Sequence, residues 1–155
     1  MPDITAQEVE QAVVALIRTT VPAAKVTTLL TIDFGAGTWG ASMKSDTDNK
    51  RVHAFVVSLA SLPRAAKSGR TTQRMMRFSI IGVLDNTAAG SKAQLISELE
   101  MIADATTIST DLGLARRIEG HDELQINNID FASGFAPPAY FADAELQVRC
   151  YPITL

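Results

Sequence analysis

Between Lys50 and Asp85 the chain reads as two long strands joined by a basic connection. The first, Arg51 to Leu59, is dominated by Val, Phe, Ala and Leu, and the second runs from Thr72 to Leu84 with apolar residues throughout its latter half. Between them lie Pro63, Arg64, Lys67, Ser68, Gly69 and Arg70, which interrupt a strand and favour a turn. From Arg64 to Arg77 there are five basic residues, Arg64, Lys67, Arg70, Arg74 and Arg77, and no acid. The apolar ends of such a hairpin require a core, while its tip requires water or an acidic partner. That gradient predicts an interaction element more than a catalytic one.

The flanking segments supply the layers that cover the hairpin. Thr5 followed by Glu8 forms a capping box: the hydroxyl accepts from the third helical residue, whose carboxylate reaches back. Val9, Ala12, Val13, Leu16 and Ile17 then share one helical face, and Pro22 ends the helix near Thr20. Lys25 to Ile32 alternates as a strand. Asp33 to Asn49 is an irregular connection with Gly35, Gly37 and Gly40, and it carries Phe34 and Trp39, the only tryptophan. An aromatic on a glycine-rich loop is either an interface anchor or a lid folded over the core.

After the hairpin, Asp85, Asn86, Thr87 and Ser91 offer competing N-caps for a second helix. Its inner face is Leu95, Ile96, Leu99, Ile102 and Ala103, with Glu98, Glu100 and Asp104 assigned to the other side. A connection around Gly113 and Arg116-Arg117 allows a short strand from Leu114 to Ile118. Leu124 to Phe131 alternates with Leu124 and Ile126 opposed to Gln125, Asn127 and Ile129. Gly134 and Pro137-Pro138 interrupt the chain, and Ala142 to Ile153 closes it, with Leu146, Val148 and Cys150 inward and Tyr151 outward. The pattern predicts one α+β domain over residues 1–155. It comprises a mostly antiparallel sheet of four to six strands, two amphipathic helices on one face, and a long extended hairpin.

Net charge is −3, too small for the whole molecule to be drawn to nucleic acid or membrane. Its distribution is uneven. Ile118 to Val148 holds six acids, Glu119, Asp122, Glu123, Asp130, Asp143 and Glu145, and no Lys or Arg. An acidic C-terminal third and a basic tip suit head-to-tail self-association, with Asp122, Glu123, Asp143 and Glu145 as the counter-patch to Arg64, Lys67, Arg70 and Arg74. The lone Cys150 excludes an intrachain disulfide and fits a reducing compartment. No secretory leader or membrane-length apolar run is visible, so a protein made in a cytoplasm and not membrane-bound is expected.

Catalytic signals are weak. His53 reads as a packed or edge residue of its strand. His121-Asp122-Glu123 places neighbouring side chains in different directions and has no second His or Cys at ligand spacing. Ala89-Gly90-Ser91-Lys92 puts the serine before the lysine, so no hydroxyl follows to hold magnesium. Gly35 to Gly40 has glycines reminiscent of a dinucleotide fingerprint but no helix to meet the pyrophosphate. Neither an enzyme nor a cofactor is expected. A small-molecule or nucleotide-binding domain, with Phe34 and Trp39 on a pocket lid, is the alternative.

The order of elements resembles the tail-terminator (tail-completion) proteins of tailed bacteriophages. The matching stretches are Thr5 to Arg18, Met75 to Leu84, Ser91 to Ala105, Asp111-Leu112-Gly113-Leu114-Ala115 and Ala142 to Tyr151. The resemblance covers most of the chain and is one of layout, without a diagnostic motif. It implies a virion structural protein located at the tail–neck junction and made in the host cytoplasm. Such a protein forms a homo-hexameric ring that caps the tail tube protein, stops polymerisation and receives the head or neck connector. The channel of such a ring passes DNA, so the basic hairpin faces either a neighbouring subunit or DNA, the latter contact being non-specific and salt-dependent.

Overall fold

A computed structural model describes residues 4–28, 43–45, 51–62, 64–68, 71–87, 89–115, 117–133, 138–151 and 153–154. The elements, in order, are α1 (Ala6–Thr20), β1 (Lys25–Thr28), β2 (His53–Ser61), β3 (Arg64–Ser68), β4 (Thr71–Asp85), α2 (Ser91–Ile108), β5 (Gly120–His121), β6 (Gln125–Ala132), β7 (Ala139–Arg149) and β8 (Ile153–Thr154). The fold is α+β, as the pattern predicts. One sheet runs β1-β2-β4-β7-β5, with β3 and β8 also pairing β4 and β6 also pairing β7. Only β1–β2 is parallel among the described pairs.

The strands are two-faced because their side chains alternate. On β2, Phe55 and Val57 point to the helices; on β4, Met76, Phe78, Ile80 and Leu84 do; on β7, Ala142, Ala144, Leu146 and Val148 do. All join Val9, Val13 and Ile17 of α1 and Leu95, Leu99 and Ile102 of α2 in one buried cluster. Burying each large side chain there contributes roughly 2 kcal/mol. The opposite parity, Ala54, Val56, Val83 and Ala139, forms a second cluster with Met43 and Val52. Cys150 is fully buried, as its inward position predicts.

The Thr5–Glu8 capping box closes with both hydrogen bonds, at 2.7 and 3.1 Å. The Thr5 backbone N–H and then the Arg117 guanidinium hold the Glu8 carboxyl below its usual range. That ion pair ties the start of α1 to the segment after α2.

Four local expectations are corrected. Strand pairing continues through the basic connection: β3 pairs Arg64–Ser68 with Thr71–Arg74, while Pro63, Gly69 and Arg70 lie outside the described residues. Among the described residues no strand forms from Leu114 to Ile118; Leu112, Gly113 and Ala115 take positive φ, and pairing begins at Gly120. On β6, Ile126 pairs with Ala144 and Ile129 with Ala142, so a bulge at Asn127 puts both isoleucines on the helix-bearing face. The start of α2 has no side-chain cap: Gly90, in the left-handed region, precedes it, and Ser91 is buried.

Gly82 sits directly opposite Phe55, and a Cβ there would lie 2.9 Å from Phe55 Cε1 and 3.1 Å from Leu95 Cδ1. The ring of Phe55 fills the space the glycine leaves. Gly82→Ala is therefore expected to destabilise by about 2 kcal/mol through overpacking, measured by urea unfolding. A neutral outcome would show that the ring slides away without cost.

Candidate assembly surface

The core ends at Met76 on β4 and Leu59 on β2, yet the strands run on. Beyond it, β3, the first residues of β4 and β8 make a three-stranded arm, with Thr71 and Thr72 paired to Thr154 and Ile153. Arg64 and Lys67 belong to β3, and Arg70 lies between β3 and β4, outside the described residues. Arg74 does not join them as a free cation. It is half-buried, and its Nη1 donates to the Ile4 carbonyl at 3.1 Å, fastening the arm's base to the chain before α1.

The acidic counterparts divide. Asp122 is paired with Arg149, and Glu145 with Arg77 at 2.8 Å. Both pairs are half-exposed, so each contributes only a few tenths of a kcal/mol, but they occupy the charges. Glu123 and Asp143 are exposed and make no ion pair among the described residues, and Asp130, one of the six acids but not part of the expected counter-patch, joins them. Asp143 pairs with Asn128 and Phe141 with Asp130 across β6–β7, so Asp130 and Asp143 share the face away from the helices. The loop carrying Phe34 and Trp39 lies outside the described residues.

His121 Nδ1 lies 2.9 Å from the Asp122 carbonyl and Nε2 2.9 Å from the Ser109 carbonyl, so the ring bridges the end of α2 to β5. It lines an open cleft of about 290 Å³ with Glu119, Asp122, Glu123 and Arg149. Among the described residues no group of three His, Cys, Asp or Glu side chains is placed to hold a metal ion. No described helix is long and apolar enough to cross a membrane.

Two polar constellations escaped the sequence reading. Asp85, at the end of β4, accepts from Arg51 Nε at 3.0 Å, from the Val52 N–H at 2.8 Å and from Thr87 at 2.7 Å, while Arg51 also reaches Ser91. Glu98, expected on the outer side of α2, is buried, with its Oε1 2.8 Å from His53 Nε2. Both join the start of β2 to α2 or its entry and brace the end of the sheet opposite the arm. They hold the scaffold together. No protein-family model matches this chain, and no curated protein matches it.

Proposed function

We propose that this chain is a structural subunit of a tailed virus particle. It assembles with copies of itself into a hexameric ring that closes the tail tube and receives the head or neck connector. The resemblance in layout to tail terminators motivates the reading. The observation that supports it is the arm: paired strand extends past the core, and Arg64 and Lys67 belong to it. A subunit with different, complementary patches makes heterologous contacts, which close into a ring when the rotation allows. In that ring the arm meets a neighbour or the DNA passing through the channel.

The test uses the full chain. Light scattering behind size exclusion, with negative-stain imaging, is expected to show rings of several 16.6 kDa subunits at high concentration. Reversing Arg64, Lys67 and Arg70 to Glu is expected to leave monomers with an unchanged thermal melt. A wild-type chain that stays monomeric at every concentration, alone and with tail tube protein, overturns the reading.

A further inference from the structure

We propose that His121 is a proton-operated clasp. Its charged ring donates from both nitrogens and holds the turn between α2 and β5 shut, and loss of one proton loosens that turn. The clasp works within one chain, whether or not copies assemble.

A neutral imidazole has one N–H and one bare nitrogen, whereas the imidazolium has two donors. Around His121 both positions meet oxygens that only accept. Nδ1 is 2.9 Å from the Asp122 carbonyl and Nε2 is 2.9 Å from the Ser109 carbonyl. Whichever tautomer a neutral ring takes, its bare nitrogen faces a carbonyl oxygen, lone pair against lone pair. Only the doubly protonated ring satisfies both contacts.

The surroundings favour the cation as well. Ser109 is the C-cap of α2, so its carbonyl lies at the negative end of that helix's dipole. The cleft around the ring is lined by Glu119, Asp122 and Glu123, and the cation lining it, Arg149 of β7, is paired with Asp122. From α2 and the residues just after it come Thr107 and Thr110, which do not titrate. In the turn itself, Asp111 accepts from the Gly113 N–H, Arg117 is tied to Glu8, and Arg116 lies outside the described residues.

The turn needs holding. Leu112 and Ala115 sit at φ 53° and 51°, a region that residues with a side chain disfavour. The Ser109 carbonyl also accepts from the Leu112 N–H, at 3.4 Å, so the ring and the turn share one anchor. Stability that the charged ring supplies is present in mild acid and is lost as pH rises through the imidazole range.

NMR on the full chain tests this. Near about pH 5 the wild-type ring is expected to show an N–H proton on each nitrogen, both slowed in exchange with water. Protection of the Leu112, Leu114 and Arg117 amides, corrected for the intrinsic pH dependence of exchange, is expected to fall roughly 10-fold between about pH 5 and about pH 8, the equivalent of one lost hydrogen bond. His121→Phe keeps a ring without nitrogens and is expected to show the lower protection at both pH values. A wild-type ring with only one slowed N–H in acid, wild-type protection equal at both pH values, or the same fall in His121→Phe each overturns the clasp. The first two are read on the wild type, so a variant that fails to fold leaves the test intact.

Discussion

Replacing Asp85 with alanine is expected to lower the unfolding free energy by about 3 kcal/mol, more than any surface charge in the protein. The residue is 1% exposed. Its carboxylate accepts from the Val52 N–H, itself on a fully buried residue, and from Arg51 and Thr87. Without it the Val52 N–H loses that acceptor, and the Arg51 guanidinium, about three-quarters buried, loses the Asp85 carboxylate. Taking the acceptor from a buried donor costs more than the hydrogen bond contributed in net terms. Asp85→Asn, which keeps one acceptor oxygen, is expected to fall between the two. Urea unfolding of the three proteins measures the difference, and a loss below about 1 kcal/mol for the alanine variant would show that water replaces the carboxylate.

The same carboxyl has a pH signature. Burial pushes its pKa up, but the hydrogen bonds from Thr87, Arg51 and Val52 and the Arg51 charge outweigh it, so the net direction is down. A folded-state value below the unfolded one means the stabilisation is complete above the ordinary aspartate range. It is lost as pH falls through the lowered folded value. The gap in stability between wild type and Asp85→Ala should therefore narrow in strong acid and hold steady at neutral pH.

Features fixed by neighbours in sequence were legible. The Thr5–Glu8 box and the Val9, Val13 and Ile17 stripe define α1 within one turn of chain, and Pro22 sets its end. The hairpin was also legible, because two long apolar strands around Gly69 can pair in few ways. Once that pairing is written out, Val52 and Asp85 fall near each other at its open end, so the Arg51–Asp85 contact was available to pattern reasoning. It was missed because Asp85 next to Asn86 and Thr87 resembles a helix cap, a local signal that tertiary pairing overrode. β3 was hidden by Pro63 and Gly69, which punctuate only the ends of the connection. The basic half of the candidate surface could be read as a charge run. The acidic half could not be resolved, since which carboxylates remain unpaired depends on the register that sets Arg77 beside Glu145 and leaves Asp130 without a cation.

His53→Leu alone and Glu98→Leu alone are each expected to destabilise by about 3 kcal/mol, whereas the double substitution should return to within about 1 kcal/mol of wild type. Both partners are nearly enclosed, with side chains 5% and 11% exposed, so removing His53 leaves Glu98 the Gln94 amide, 3.4 Å from its Oε2, and removing Glu98 takes away the partner of His53 Nε2. Together, two leucines of similar volume replace a pair whose mutual attraction is largely offset by the cost of taking both from water. Glu98 is reached by the same spacing that buries Leu95 and Ile102, three residues before and four after it, and His53 has the inward parity of Phe55 and Val57. The pair thus fixes where α2 sits along β2 without adding much net stability. A double-mutant cycle by urea unfolding reads this directly. If the double variant is as unstable as the sum of the singles, the pair is not coupled and α2 is seated by apolar packing alone.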